Sequence, residues 1–431
     1  MKETCTFKTK EAFGKISEHL YKTESVILQL AEISGKRWSY IAGRKPESYP
    51  FCEQRRLNDR YGIILYSRSN IDNKNKEVLF NKIKDSVFLS DKKPEFLLSK
   101  KEIVGFLETK NEDKISNLFK RADKIRKENV GDEVHIRGII EASNYCIKNC
   151  FYCGLRKDNK NIKRYRLTEA EIYDACKNAY SFNYKTVVIQ TGEAAVYKIE
   201  DLCRLVSKVK KDFGLAITLS LGELDYDSLR SLKNAGADRY LVRFETSDRN
   251  LFRKVKPDSD YDKRFLMLKW LRELNYQVGS GIMVGLPGQS IDSIAEDIML
   301  FGRIGLDMVG SGPFIANPDT PLSNSVGGDL LLSLKLIALT RIITLNAHIP
   351  ATTALGTIDG LGRQKGLASG ANVIMPNVTP HKYRKDYLLY PNKICINEKP
   401  SDCSSCISSM IFSAGRKIAE GYGHSLKSKI N

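Results

Sequence analysis

The stretch NYCIKNCFYCGL, residues 144–155, sets three thiols, Cys146, Cys150 and Cys153, within eight residues, separated by three and then two. Free cysteine is among the most buried residue types, so small apolar packing is one reading of such a cluster. Asn144, Lys148 and Asn149 surround the thiols, however, and a polar loop is a poor place to hide apolar volume. Thiolates are the usual ligands of iron–sulfur clusters, and a four-iron cubane held by only three of them keeps one iron open. A structural zinc site closes with four ligands instead, and the nearest fourth candidate, His135, falls inside the run that precedes the loop. The spacing therefore favours an open metal cluster.

Directly upstream, HIRGIIEAS (135–143) reads as a β-strand, and seven similar runs follow it. They are TVVIQTG (186–192), AITLSLG (216–222), RYLVRFET (239–246), VGSGIMVGL (278–286), DMVGSGPFI (307–315), IPATTALG (349–356) and ANVIMPN (371–377). Amphipathic helical patterns separate them, from TEAEIYDACKNAYSF (168–182) to LLLSLKLIALTRIITL (330–345). Regular alternation of this kind predicts a parallel sheet, and eight units predict an α/β fold closed as a (β/α)8 TIM-type barrel. An open doubly wound sheet would carry a glycine-rich fingerprint after its first strand, and none is found there. Barrel active sites are built at the C-terminal ends of the strands, which is where the cysteine loop falls.

Ahead of the barrel, EAFGKISEHLYKTESVILQLAEISG (11–35) and LFNKIKDSVFL (79–89) read as helices, and RWSYIAGR (37–44) and YGIILYSR (61–68) as strands. SDKKPEF (90–96) has the composition of a linker. The chain thus divides into a small α+β N-terminal extension, residues 1–93, and a barrel domain, residues 98–431.

Composition narrows the class. Over 431 residues the chain is 42% hydrophobic and 28% charged, as expected of a globular protein in water, and no apolar run is long enough to span a bilayer. Ten cysteines are too few for a disulfide scaffold, so a reducing, cytoplasmic setting is expected and clustered cysteines point to metal or catalysis. The net charge is +18, yet the lysines are scattered over helix faces with no basic stripe interleaved with aromatics. Nucleic acid is therefore not an expected partner, and a membrane is not one either.

The CxxxCxxC spacing, with the aromatic Tyr152 before its last cysteine and a strand before its first, resembles the radical S-adenosylmethionine (radical SAM) superfamily. GADRYLVRFET, MVGLPGQ, GPFIANPDTPL, IPATTALGTI, GANVIMPN and YPNKIC extend the resemblance, from about Leu98 to Lys417, to the HydE family of FeFe-hydrogenase maturases, relatives of biotin synthase and methylornithine synthase. The resemblance implies a 4Fe–4S cluster on Cys146, Cys150 and Cys153, with S-adenosylmethionine on the open iron and a 5′-deoxyadenosyl radical as product. It implies cofactor contacts at Tyr152, Gly192, Glu193, Glu245, Arg264, Met308 and Tyr387. It implies a cavity lined by Thr218, Arg239, Arg243, Thr352 and Thr353 for a small iron complex bearing cyanide, carbonyl and cysteine. An electron donor protein and other hydrogenase maturases are the implied partners. Cys395, Cys403 and Cys406 match an optional second iron–sulfur cluster.

Arg239, Arg243 and Glu245 alternate along one run and should share a face of the fourth strand. A guanidinium inside a barrel is costly unless it serves an anion or a carboxylate, so these arginines are expected either in an anion pocket or in an internal salt bridge with Glu245 or Glu223. Phe244 and Asn317 stand where the family carries histidines, and the opposite parity of Phe244 turns it outward. Three other readings compete: a methylornithine synthase-like mutase, a non-catalytic iron–sulfur scaffold, and an RNA-modifying radical enzyme. The last would need an appended RNA-binding module, which the N-terminal residues do not resemble.

Overall fold

Val26–Ser34 (β1) forms a strand, although its leucines, alanine and glutamate read as the end of a helix. It pairs antiparallel on one edge with Arg37–Gly43 (β2) and on the other with Tyr61–Ser67 (β4), which also pairs with Phe51–Arg56 (β3). A central strand that exchanges ladder bonds on both edges overrides a modest helix propensity. The computed structural model describes residues 26–34, 37–43, 51–56, 61–67, 96–398 and 400–427. The helix expected over 79–89 and the first half of the one over 11–35 lie outside them. The chain divides into two compact units, Met1–Glu95 and Phe96–Asn431, and the first of these contains the four-stranded sheet, in the order β2-β1-β4-β3.

The second unit opens with two helices, Lys100–Glu108 (α1) and Glu112–Val130 (α2). Ser99 and Glu102 form a capping box on the first, and Asn111 caps the second, so each start is written in the sequence. Strand and helix then alternate: Glu133–Ser143 (β5), Glu169–Ser181 (α3), Thr186–Thr191 (β6), Ile199–Phe213 (α4), Ala216–Ser220 (β7), Tyr226–Asn234 (α5) and Arg239–Leu241 (β8). Arg249–Val255 (α6), Tyr261–Glu273 (α7), Gln277–Ser280 (β9), Met283–Val284 (β10), Ile291–Ile304 (α8), Met308–Val309 (β11) and Gly312–Pro313 (β12) follow. The last part holds Leu330–Thr344 (α9), Thr353–Ile358 (α10), Gly362–Ala368 (α11), Val373–Ile374 (β13), His381–Arg384 (α12), Pro400–Ser413 (α13) and Lys417–Ile418 (β14).

The parallel ladder runs β13-β5-β6-β7-β8-β9-β11. Single bridges, Met308 to His348 and Pro350 to Val373, carry it from β11 across His348–Ala351 to β13. This is the expected TIM-like α/β barrel, with its seventh rung reduced to those bridges. Two strand expectations are corrected. The fourth strand stops at Leu241, and the seventh gives way at Thr352, which is the N-cap of α10. Beyond Leu241 the run keeps a single parallel bridge, Glu245 to Ile282, at a residue with φ +67°. Phe244 does face outward, packing on Phe265 and Phe301 of the surrounding helices.

β14 adds to the start of β5, pairing Lys417 with Glu133, and the tail then crosses the N-terminal ends of the strands. Thr186 Oγ1 donates to the Tyr422 carbonyl at 2.9 Å, and the Ser425 N–H donates to Gln277 Oε1 at 2.8 Å. The chain's own C-terminal segment thus closes that mouth of the barrel. Among the described residues no helix is long and apolar enough to cross a membrane.

Candidate active site

β5 delivers the chain to the cysteine loop at the opposite, C-terminal mouth. Neighbouring backbone braces the loop from several sides. The Ile147 N–H donates to the Glu193 carbonyl, the Phe151 N–H to that of Val255 and the Gly154 N–H to that of Leu389, each at 2.9 Å. Arg164 fastens it from behind, its guanidinium donating to the carbonyls of Asn144 (2.6 Å), Leu155 (2.9 Å), Arg156 (2.7 Å) and Asn159 (3.3 Å). Two glycines permit this approach. A Cβ on Gly192 would lie 2.2 Å from the Tyr145 carbonyl oxygen, and one on Gly154 would lie 2.1 Å from that of Leu388. Cys150 and Tyr152 are buried against Leu251, Val255, Leu286 and Phe314, while Cys146 and Cys153 are half-buried.

Beside the thiols lies a compact charge network. Arg264 Nη2 is 2.8 Å from Glu193 Oε1 and 3.0 Å from Glu223 Oε1, and Lys148 Nζ is 3.3 Å from Glu223 Oε2. Arg243 Nη2 is 2.8 Å from Glu245 Oε2 and donates to the Ile282 carbonyl at 2.7 Å. Lys256 is almost wholly buried, its Nζ 3.4 Å from both Cys150 Sγ and the Tyr152 hydroxyl and 3.9 Å from Glu193 Oε1. Burial alone would raise the Glu193 carboxyl, but Arg264 and Lys256 outweigh it and hold the group down at about 2. Glu193 is thus an anion throughout the neutral range.

The network is not self-sufficient. Glu193 Oε2, Arg264 Nε and Arg243 Nε are buried with no hydrogen-bond partner, and so, outside this network, are Thr218 Oγ1 on β7, in register with Arg239, and Thr352 Oγ1 at the start of α10. Glu223 Oε1 and Glu245 Oε2 also lack hydrogen-bond alignment, so distance alone joins them to Arg264 and Arg243. Glu245 further carries a left-handed backbone, held by its N–H to the Gly281 carbonyl at 3.1 Å and by its own carbonyl to the Met283 N–H at 3.2 Å. Such conformations cost about 1–3 kcal/mol and persist where the surroundings over-determine them, characteristically at functional sites.

Among the described residues no three His, Cys, Asp or Glu side chains gather closely enough to chelate one ion. A cubane does not ask for that, since each thiolate takes its own iron. Three thiols on one braced loop, an apolar wall and an adjoining set of unpartnered polar atoms fit a cluster with an exchangeable organic ligand.

Tyr152, Glu193, Glu245, Arg264 and Arg243 thus meet near the cysteine loop, and Gly192 packs against it. Tyr387 is buried and its hydroxyl accepts from Gln190 Nε2 at 2.9 Å. Met308 sits on β11 with its sulfur 2.8 Å from Arg137 Nη1. Thr352 and Thr353 are half-buried at the start of α10, not on a strand. Arg239 is placed apart from the rest. It lies at the N-terminal mouth, donating to Gln277 Oε1 (3.1 Å), Thr186 Oγ1 (3.3 Å) and the carbonyls of Tyr422 (2.8 Å) and Gly423 (2.9 Å). Parity along one run says which side a residue faces but not which layer of the barrel it occupies, and two turns of alternation carried Arg239 away from Arg243.

The second triplet differs in the exposure of its members. Cys403 is buried in the apolar cluster of Ile407, Met410 and Ile411, with Cys395 packed on its edge, while Cys406 is exposed. The Cys395 and Cys403 thiols meet in a hydrogen bond, and Cys406 follows Cys403 by one turn of α13.

Sequence reading missed Lys256 and Arg164. Lys256 follows Val255 at the end of a short helix, where a lysine ordinarily reads as a solvated charge favouring the helix C-terminus. Its only local hint is its place just after the fourth strand's loop.

Residues 140–301 match the family pattern of the Radical SAM superfamily. The chain is 52% identical over 306 residues to the FeFe-hydrogenase maturase subunit HydE of Thermotoga maritima, covering 71% of this chain and 88% of that protein. It is 30% identical over 281 residues to 3-methylornithine synthase of Methanosarcina acetivorans, covering 65% and 79% respectively. The crystal structure of a methylornithine synthase superposes with a TM-score of 0.67 at 26% identity, covering 76% of this chain and 96% of that one.

Proposed function

The chain belongs to the radical SAM superfamily and, within it, to the HydE family of hydrogenase maturases, and from that premise we propose that it processes an iron complex bearing cyanide, carbonyl and cysteine during assembly of the FeFe-hydrogenase H-cluster. It is an enzyme, and its family implies a 4Fe–4S cluster and S-adenosylmethionine. Cys146, Cys150 and Cys153 would hold the cluster, which when bound supplies the electron that cleaves the cofactor's S–C bond to give a 5′-deoxyadenosyl radical.

The remaining work falls to the chain. Glu193 offers a free carboxylate oxygen, ionised at neutral pH, to a cofactor ammonium or hydroxyl. Glu245 adds a second carboxylate, paired at 2.8 Å with Arg243 but short of a hydrogen bond, and the free Nε of Arg264 suits a carboxylate. Lys256 sets a buried cation against the Cys150 sulfur, where an anionic cluster accumulates charge. Leu251, Val255, Leu286 and Phe314 exclude water, which protects a reactive intermediate from side reactions.

The observation that carries the substrate reading is the set of buried groups left without partners, Arg243 Nε and Thr352 Oγ1, with Thr218 Oγ1 deeper in the barrel at the level of Arg239. Each unsatisfied donor costs about 1–3 kcal/mol, which an anionic, hydrogen-bonding guest would offset. Arg239 has no such vacancy and is left out of the pocket. Tyr387 and Thr353 would line its approaches, whereas Met308, packed on the Arg137 guanidinium that also donates to the Gly423 carbonyl, faces the lower mouth and is left out with Arg239. An electron donor protein and other maturases would meet the enzyme from outside. Cys395, Cys403 and Cys406 would hold an optional second cluster, and the radical step is assigned without it because they lie on and beside α13, outside the loop after β5.

The test is anaerobic reconstitution with iron and sulfide, reduction with dithionite, and measurement of 5′-deoxyadenosine and methionine with and without the iron complex. The complex should be consumed in step with the deoxyadenosine formed, and hydrogenase maturation should fail when the protein is omitted. Cofactor cleavage coupled instead to an amino-acid rearrangement would assign the chain to methylornithine synthase-like chemistry.

A further inference from the structure

The face around the cysteine loop carries cations that the site does not consume. Between Tyr145 and Arg166 there are seven Lys or Arg and one acid, Asp158, against 69 and 51 in the whole chain, so the excess is local. Four of the seven are engaged: Lys148 with Glu223, Arg156 with Asp158 at 4.0 Å, Arg164 with the loop carbonyls and Arg166 with the Val196 carbonyl at 2.7 Å. Lys157, Lys160 and Lys163 are exposed, and no carboxylate among the described residues pairs with them. α6 adds exposed Arg253 and Lys254 next to Val255, whose carbonyl accepts from Phe151. The other acids of the face are turned to internal use, Asp258 accepting from the Asn149 N–H at 2.8 Å and Asp319 from Asn161 Nδ2 at 2.7 Å.

At the centre stand two exposed apolar side chains, Tyr145 (42% exposed) and Ile147 (61% exposed), on either side of half-buried Cys146. Arg164 keeps the loop from yielding, so the patch is preformed. An apolar tip ringed by unpaired cations, directly over a ligand of the redox group, is an electrostatic complement for an acidic surface.

We infer that this face docks an acidic ferredoxin-like electron carrier, which passes one electron to the cluster on the Cys146 side and is itself oxidised by one electron. The inference rests on the radical SAM function proposed above. Electron-transfer encounters are small and transient, and opposite charge raises their association rate steeply at low salt.

The test compares wild type with the triple variant Lys157→Glu, Lys160→Glu, Lys163→Glu, none of which is part of the catalytic machinery, at matched cluster content. Two readouts are taken: affinity for an oxidised acidic ferredoxin across a salt series, and cofactor cleavage driven by reduced ferredoxin or by dithionite. Reversal should weaken ferredoxin affinity and ferredoxin-driven cleavage about tenfold at low salt, an effect that fades as salt rises. Dithionite-driven cleavage should stay within about twofold of wild type, because a small reductant needs no docking. Should reversal disturb cluster loading, Lys157→Gln with Lys160→Gln should give a milder loss, about threefold, in the same affinity. Unchanged ferredoxin affinity in either variant overturns the docking face. So would a variant that loses hydrogenase maturation while keeping that affinity, since the face would then serve a different maturation protein. Wild type that binds ferredoxin through these lysines but cleaves no cofactor under dithionite would sink the proposed function and leave the docking face standing.

Discussion

Arg264 and Arg239 are both almost fully buried in one barrel, at 2% and 0% exposure, and the difference between them lies in what answers the charge. At the C-terminal mouth Arg264 meets two carboxylates, Glu193 and Glu223, and keeps an unpartnered Nε. At the N-terminal mouth Arg239 meets Gln277, Thr186 and the tail carbonyls of Tyr422 and Gly423, with every nitrogen used. Burial lowers Arg239 to about 10, which leaves it a cation at neutral pH, and burial together with Arg137 and Arg239 lowers His135 to about 4, which keeps that ring neutral. A buried guanidinium therefore marks a ligand site only when its surroundings leave hydrogen-bonding capacity over; saturated by its own chain it is a fastening.

The largest expected effect falls at the upper end. Cys146→Ala, Cys150→Ala or Cys153→Ala should each reduce 5′-deoxyadenosine formation below detection while the circular dichroism of the protein is preserved. Cleavage persisting in Cys150→Ala would break the comparison outright, since the active cluster would lie elsewhere.

The next test strikes the lower end alone. Deleting residues 420–431 strips Arg239, Thr186 and Gln277 of their tail partners and should cost about 3–5 kcal/mol in urea unfolding, as loss of a partner to a buried charge does. Cofactor cleavage per folded molecule should survive. An unchanged unfolding midpoint would mean that the tail covers the mouth without fastening it.

Beneath the upper end, Asp297 accepts from the Ser247 N–H at 2.6 Å, just beyond strained Glu245, and is buried without a cation. Burial raises its carboxyl from 3.8 to about 7, so the folded state binds this proton more tightly than the unfolded chain does. That contribution to stability is complete below about pH 4 and drains away as pH climbs to about 7. Asp297→Asn should therefore gain about 2 kcal/mol on wild type between pH 5 and pH 8, read from paired thermal unfolding curves. A constant difference across that range would show the carboxyl to be ordinary.

Arg243→Leu should lower hydrogenase maturation about tenfold, or ~1.4 kcal/mol, with dithionite-driven cofactor cleavage retained. Arg243→Lys should not restore it fully, because a point charge lacks the planar fork. Wild-type maturation in Arg243→Leu would reduce this arginine to the counterion of Glu245, a fastening like Arg239. The smallest effect is electrochemical. Lys256→Met removes a cation 3.4 Å from Cys150 Sγ and should lower the cluster's midpoint potential by about 60 mV, tenfold for one electron, in an EPR-monitored titration. An unmoved potential would show that Lys256 serves only Glu193.

Much of the upper site was legible because its decisive residues are close in sequence. Cys146, Cys150 and Cys153 come from one loop, and the run before them has strand periodicity, so ligand type, spacing and place at a strand end could be read together. The paired Arg243 and Glu245 were legible too, being two residues apart. Arg239 was misplaced for the same reason that they were found: alternation was extended through RYLVRFET as if the strand ran its whole length, whereas it stops at Leu241. Val26–Ser34 misled in the opposite way, its local preference yielding to strands on both sides.

By itself the sequence determined the alternation of strands and helices, the family and the spacing of the three loop cysteines, because periodicity and spacing are properties of short segments. Tertiary structure alone decided that Lys256 lies against Cys150 from 106 residues away and that the tail at Tyr422 and Gly423 answers Arg239 across more than 180. Burial and electrostatic pairing depend on distance in space, and no local pattern encodes which remote residue will arrive to satisfy a buried charge.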